Sequence, residues 1–322
     1  MKIKIYIIAI LLFGCCLMAF SQTYHTDKPR NGEGINSFLE RNGYDFRRYK
    51  SLFIELNKGK FEYNNGLKKG VSYRFPLNYN EHPEMLFGLE NIEITKESNE
   101  LKGAVYYLVC GHGGPDPGAM SRIKGHDLCE DEYAYDIVLR LARELLQKGA
   151  KVYVIIQDTN DGIRDSQYLK LDEDETCMGE EIPLDQNQRL RQRVNMINKL
   201  YDKNRGKYQR AIFVHLDSRS KREQIDIFSY YCKGSSKGLS LSKTLQDTFK
   251  KKYSQYQPGR GFSGTIGWRN LYVLVATKPV GVFLELGNMQ NARDQQRFIV
   301  PSNRSAVAKW IAEGIVKEYK KR

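Results

Sequence analysis

Three runs of apolar, mostly β-branched or aromatic residues end on a group that carries chemistry, and no other feature limits the fold as much. Val105 to Cys110 runs into Gly111-His112-Gly113-Gly114-Pro115-Asp116-Pro117-Gly118-Ala119. Ala211-Ile212-Phe213-Val214 ends on His215, and Val280 to Leu284 ends on Glu285. Short continuous apolar runs closed by glycine, proline or a polar residue predict buried strands. After the first run, Tyr133, Ile137, Val138, Leu141, Leu145 and Leu146 recur at helical spacing over Cys129–Gly149, and Gly149 closes the helix. Lys151 to Gln157 is again strand-like. Strand, helix and strand in that order predict a βαβ unit, hence a parallel sheet. Helices over Arg189–Asn204, Leu239–Tyr253 and Ala306–Tyr319 flank it, and Ile225–Tyr231 and Leu271–Val275 are predicted as further strands. The expected fold class is therefore α/β, a mostly parallel sheet flanked by helices. With 322 residues, 41% of them hydrophobic, the chain has room for one large domain or one domain plus a small module.

The first residues predict a leader. Lys2 and Lys4 precede an apolar run, Ile5 to Phe20, and Ala19-Phe20-Ser21 offers a small-x-small cleavage site before Gln22. A secretory signal over 1–21 is the expectation. Two alternatives are a lipoprotein, since Leu12-Phe13-Gly14-Cys15 resembles a lipobox, and a permanent anchor, for which the run is short. No later stretch is apolar enough to cross a bilayer, so no membrane span is expected and the chain should act outside the cytoplasm, in the periplasm. Cys110, Cys129, Cys177 and Cys232 follow no metal-ribbon or disulfide-scaffold spacing, though some could pair; Cys110 and Cys129 are expected to be buried thiols, with a pair between them as the alternative. The formal net charge is +13, which favours an anionic partner such as a carboxylate-rich wall polymer or an acidic membrane face. Export and the lack of a recognisable nucleic-acid module speak against nucleic acid.

In a parallel sheet the carboxyl ends of the strands lie on one edge, where sites form. His112, His215 and Glu285 all stand at such ends, and Glu130 opens the helix after the first strand, where its dipole favours a carboxylate. Two imidazoles and one carboxylate make a catalytic zinc set with a fourth position left for water. Zinc acidifies that water and polarises a carbonyl, and a second carboxylate can carry the proton to a leaving amine. Metal-assisted amide hydrolysis is thus the chemistry these residue types suggest. Simpler readings stand beside it: a solvated imidazole in a tight turn for His112, and a helix-capping acid for Glu130. Glu132 and His126 are the rivals of Glu130. Glu285, flanked by apolar residues, needs a partner or a task. Gly259-Arg260-Gly261-Phe262-Ser263-Gly264 fits Gly-x-Gly-x-x-Gly, but no strand leads in and no helix follows. No Gly-x-Ser-x-Gly elbow exists, which argues against a serine hydrolase.

Taken together and in order, four segments resemble the zinc-dependent N-acetylmuramoyl-L-alanine amidases of the amidase-3 family. They are Gly111-His112-Gly113-Gly114-x-Asp116-Pro117-Gly118-Ala119, the helix-opening Glu130, Phe213-Val214-His215, and Val282-Phe283-Leu284-Glu285-Leu286-Gly287-Asn288-x-x-Asn291. The resemblance runs from Lys102 to the C-terminus. It implies zinc held by His112, Glu130 and His215, catalysis by Glu285, and peptidoglycan as substrate, cut between muramic acid and L-alanine of the stem peptide. Two departures are His215-Leu216-Asp217 in place of His-x-Asn, and Ile156-Gln157 in place of Thr-Arg. Upstream, Gly34–Gly43, Tyr49–Asn57 and Gly66–Pro76 resemble a degenerate LysM module, which implies glycan binding by a small α+β unit; an N-terminal extension packed on the catalytic domain is the other reading. The expected organisation is a leader at 1–21, a LysM-like module at 22–80, a connector at 81–101 and a catalytic domain at 102–322. The polar, acidic stretch Asp165–Asp185 is expected as a surface loop that decorates the domain, with a lid as the alternative. A wall-binding protein of the same fold, inactive or dependent on a protein activator, is the rival function.

Overall fold

The computed structural model describes residues 24–322; the predicted leader, with its lipobox-like cysteine, lies outside the described residues. The chain begins with strand β1 (Thr26–Asp27), helices α1 (Ile35–Arg41) and α2 (Phe46–Leu56), and strand β2 (Tyr73–Arg74), which pairs antiparallel with β1. Asp45 caps α2 by accepting from the Arg48 amide, the usual way a short polar side chain satisfies a first-turn donor. Phe38, Leu39, Phe53, Tyr73 and Phe75 close a small core of their own. The Asn57 side chain, buried, bonds Phe53 O and Arg74 O and accepts from Arg74 N, tying the end of α2 to β2. Residues 83–91 then form two 3₁₀ turns, and Ile92–Thr95, whose apolar and polar residues alternate as in a strand, forms none. Met85, Leu86 and Phe87 pack into the large core instead, which explains apolar residues in a stretch read as a connector.

The large core surrounds a six-stranded sheet. Along the chain come β3 (Ala104–Cys110), the hairpin β4 (Met120–Ile123) and β5 (His126–Cys129), α3 (Glu130–Gln147), β6 (Lys151–Val154) and β7 (Ile156–Gln157). They are followed by β8 (Thr176–Cys177), β9 (Glu180–Glu181), α4 (Gln186–Lys203), β10 (Tyr208–Asp217), β11 (Ile227–Tyr231) and α5 (Ser236–Tyr256). The last elements are β12 (Gly264–Trp268), α6 (Tyr272–Ala276), β13 (Val280–Asn288), α7 (Ala292–Ile299) and α8 (Pro301–Tyr319). The sheet order is β12-β11-β13-β10-β3-β6. β6, β3, β10 and β13 run parallel; β11 is antiparallel to β13 and parallel to β12. Every residue of β3 is buried, as a central strand covered on both faces requires. The crossover through α3 leads outward to β6 and the one through α4 leads back to β10. Right-handed connections in opposite directions put these helices on opposite faces. α8 packs on both α3 and α5, and α4 packs on α6.

Two local expectations fail here. Leu271–Val275 is not a strand: Tyr272–Ala276 is the short helix α6, with Val273 and Leu274 buried while Tyr272 and Val275 face solvent. A five-residue apolar run has no period long enough to separate the two states. The edge strand β12 was hidden by its glycines and exposed side chains, a composition that edges tolerate and centres do not. The acidic stretch Asp165–Asp185 is also more than decoration. β8 and β9 extend β7 into a small antiparallel sheet, and Leu169, Glu175, Cys177, Met178 and Ile182 are buried. Arg48 of α2 reaches this segment, donating to Met178 O (3.3 Å) and to the Gln157 side chain. All four cysteines of residues 24–322 are free thiols, and only Cys232 is not buried.

Candidate metal centre

The strand ends converge because two of them lie in register. His215 of β10 stands opposite Glu285 of β13, and Val214 stands opposite Cys110 of β3. Gly111 N donates to Val214 O at 2.7 Å, and a Cβ on Gly111 would run into the His215 ring. Only glycine lets the chain leave β3 so close to that imidazole. The next residue, His112, has φ of 62°, a left-handed conformation that a non-glycine side chain adopts at a cost. Its ring is fixed by Asp116, whose Oδ2 lies 2.9 Å from His112 Nδ1 and 2.8 Å from Arg189 of α4. Arg193, one turn further along α4, donates to His112 O. Gly118 closes the turn beneath the site: a Cβ there would come within 2.6 Å of the His112 ring and 2.8 Å of Glu130 Oε2.

Glu130, buried at the first turn of α3, sits between the two rings. Its Oε1 is 2.8 Å from His215 Nδ1 and its Oε2 is 3.2 Å from His112 Nε2. Two backbone amides orient it, Leu216 N on Oε1 (3.0 Å) and Ala119 N on Oε2 (2.9 Å). The rings lie 5.1 Å apart and almost perpendicular, and His215 stacks on Phe283 at 4.1 Å. Among the described residues no Lys or Arg pairs with Glu130; both of its ion-pair partners are imidazoles. Burial opposes charge on the Glu130 carboxyl, but the two histidines outweigh it and hold it well below the usual carboxylate range. Burial likewise opposes charge on His112, and the Asp116 and Glu130 hydrogen bonds overcome this and push the imidazolium up to about 10. For His215 burial prevails over Glu130 and lowers its pKa. The trio is thus built to hold positive charge. Ligand atoms about 2.0–2.1 Å from a tetrahedral ion lie roughly 3.3 Å apart, close to the observed spacings. Three donors of N, O and N type, with Asp116 behind one imidazole, fit zinc and its usual outer partner. Metal binding would displace the proton.

Glu285 is beside this trio, half-buried, with Oε2 shielded from solvent and without a hydrogen-bond partner. Burial first, then repulsion from Glu130 and Asp217, holds its carboxyl well above the usual range. A group of this kind is poised to hold a proton and to give one up when a cation arrives. All four residues singled out by sequence are therefore brought together. The two rivals are not. His126 is exposed on the β4–β5 hairpin and stacks on Tyr168 at 3.8 Å, while Glu132 pairs with Arg164 at 2.8 Å. Both departures from the family pattern have structural partners. Asp217 engages Arg219, and the Gln157 side chain bonds Asn80 and Val154 O as well as Arg48. The parts without an assigned role in sequence are Asp116, visible only as an acid four residues after His112, Arg189, and Glu175, whose Oε2 accepts from Gly114 N at 2.7 Å. Nothing in the acidic stretch marks Glu175 from its neighbours.

Comparison with known proteins gives the arrangement its family. The profile of the N-acetylmuramoyl-L-alanine amidases matches residues 107–317. The germination-specific N-acetylmuramoyl-L-alanine amidase of Bacillus subtilis (strain 168) is 24% identical over 224 residues, 68% of this chain and 81% of that protein. Among solved structures, the CwlD amidase of Clostridioides difficile in complex with the GerS lipoprotein superposes with a TM-score of 0.50 at 19% identity, over 68% of this chain and 99% of that one. An N-acetylmuramoyl-L-alanine amidase of Clostridium difficile 630 gives 0.49 at 19% identity, over 69% and 100%. With the profile matching well over half of its length, the chain belongs to the N-acetylmuramoyl-L-alanine amidase family of peptidoglycan-cleaving enzymes.

Proposed function

We propose that this chain is an exported, zinc-dependent amidase that hydrolyses the bond between the lactyl carbonyl of N-acetylmuramic acid and L-alanine of the stem peptide. The observation that carries this is the convergence of His112, Glu130 and His215 beside the unpartnered carboxyl of Glu285. His112 through Nε2, Glu130 through its carboxylate and His215 through Nδ1 would hold the ion. A zinc ion held there would supply acidification of a water and polarisation of the scissile carbonyl. Asp116 keeps the His112 proton on Nδ1, so that Nε2 faces the centre with its lone pair. The fixed donors Leu216 N and Ala119 N keep Glu130 aimed between the rings, and the two histidines keep it ionised. Glu285 takes the proton from the attacking water at Oε2 and returns it to the departing amine of L-alanine. Its raised pKa suits the second half of that task.

Residues 22–80 would add wall binding. The β-α-α-β order of this unit, its antiparallel pair and its separate aromatic core support the LysM-like reading. The complex of the CwlD amidase with the GerS lipoprotein supports a protein partner for this chain. Among residues 24–322 no helix is long and apolar enough to cross a membrane. The test uses protein from Gln22 onward, incubated with purified peptidoglycan with and without a chelator, and mass spectrometry of the soluble products. Free stem peptides beginning at L-alanine, lost with chelator and restored by zinc, are expected. Binding without release by the zinc-loaded protein would favour the wall-binding alternative, and cleavage at another bond would overturn the substrate.

A further inference from the structure

Next to the histidine centre, a second group of side chains has no task in the reaction just described. Asp131 and Glu132 continue the first turn of α3, and Glu175 immediately precedes β8. Their exposures are only 1%, 1% and 5%, and one oxygen from each lies within 4.8 Å of the others. A helix dipole accounts for acids at an exposed first turn, not for three of them shut away from water. Counting the partners isolates the problem. Glu132 pairs with Arg164 at 2.8 Å and accepts from Asp172 N. Glu175 has Gly114 N on Oε2. Asp131 has Glu132 N on Oδ1 at 2.9 Å, while its Oδ2 is shielded from solvent and has no hydrogen-bond partner among the described residues. Arg164 is the one cation that the described residues bring into an ion pair with the group, so two carboxylates are left without countercharge. Buried carboxyls in that position stay protonated, are paired or hold a metal, and burial pushes Asp131 up to about 8 and Glu175 up to about 7 while no ion is bound.

We propose that Asp131, Glu132 and Glu175 form a second cation site, separate from the histidine centre, that takes one hard divalent ion of the calcium type. The donors are all oxygens, with neither imidazole nor thiolate, which selects hard cations over zinc. Two uncompensated carboxylates match one divalent charge. Closure from water favours calcium, which accepts irregular all-protein oxygen cages, over magnesium, which keeps its waters. The ion would clamp the acidic stretch onto α3. Because Glu175 also holds Gly114, it would brace the turn that carries His112 from behind.

Calcium chloride is added to the full mature chain after saturation with zinc and removal of the excess, with calorimetry and thermal unfolding as readouts. One calcium per chain is expected, with a melting temperature raised by roughly 4 °C at a hundredfold excess over the dissociation constant. Glu175→Gln, outside any helix, should weaken calcium about tenfold or more through the loss of one charge. The double variant Asp131→Asn/Glu175→Gln should lose the shift. Absence of a calcium isotherm in the wild-type chain overturns the proposal, as does a shift that persists undiminished in either variant. Neither readout depends on peptidoglycan cleavage.

Discussion

Replacing Asp116 with alanine isolates what holds His112 in place. The substitution removes the acceptor 2.9 Å from His112 Nδ1 and the partner of Arg189 at 2.8 Å. A neutral imidazole without that acceptor is free to carry its proton on Nε2, the nitrogen facing the centre, and its ring regains rotation about a backbone already at φ 62°. Loss of such an outer partner weakens metal affinity about 10–100-fold, which is about 1.4–2.7 kcal/mol. Stability should fall less, by about 1 kcal/mol, because Arg189 keeps Pro183 O and Leu184 O as acceptors. Asp116→Asn should restore most of the affinity, since its amide oxygen still accepts from Nδ1–H. Competition against a chromophoric chelator measures zinc affinity, and thermal unfolding controls for the fold. Affinity of a folded Asp116→Ala variant within twofold of wild type would refute this role for Asp116.

Three further outcomes follow from the geometry. Gly118→Ala forces a methyl group against the His112 ring and Glu130 at a residue with φ of 71°, so it should abolish zinc binding and turnover while leaving the far-UV circular dichroism intact; full zinc occupancy would contradict the close packing. Glu285→Gln should retain one zinc per chain and lose about 10²–10⁴ in kcat; equal losses of zinc and activity would make Glu285 a ligand instead. Away from the centre, burial first and then the Asp161 charge pushes the Asp158 carboxyl from 3.8 up to about 8. The folded chain therefore holds a proton that the unfolded chain releases, and stability is lost as pH rises between about 4 and 8, by at most about 1.4 kcal/mol per pH unit. In chelator, Asp158→Asn should remove this loss, so the melting-temperature gap between variant and wild type should widen from pH 5 to pH 8; a constant gap would refute it.

How far the sequence reaches depends on where each signal is encoded. β3, β10 and β13 were legible because parallel strands buried on both faces must be continuously apolar, and that made the residue at each strand end stand out. Glu130 was legible because a helix opens on it. α6 was misread because Tyr272–Ala276 combines strand-like residues with a length too short to show a period. β12 went unseen because an exposed edge strand carries glycines where a central strand cannot. The role of Glu175 lies on another level. It arises only when β8 and β9 fold against β7 and carry an acid from the middle of a polar stretch to the back of the His112 turn. Asp131 was hidden for the opposite reason: an acid in a first helical turn is so ordinary that its burial could not be foreseen.

The position of the zinc is read most directly from anomalous diffraction at the zinc edge, on crystals of the mature chain grown with one equivalent of the metal. A single peak between His112 Nε2, Glu130 and His215 Nδ1, within about 2.3 Å of each, is the expected result. No peak there, or a peak among Asp131, Glu132 and Glu175 with the histidines bare, would contradict a zinc amidase built on these strand ends.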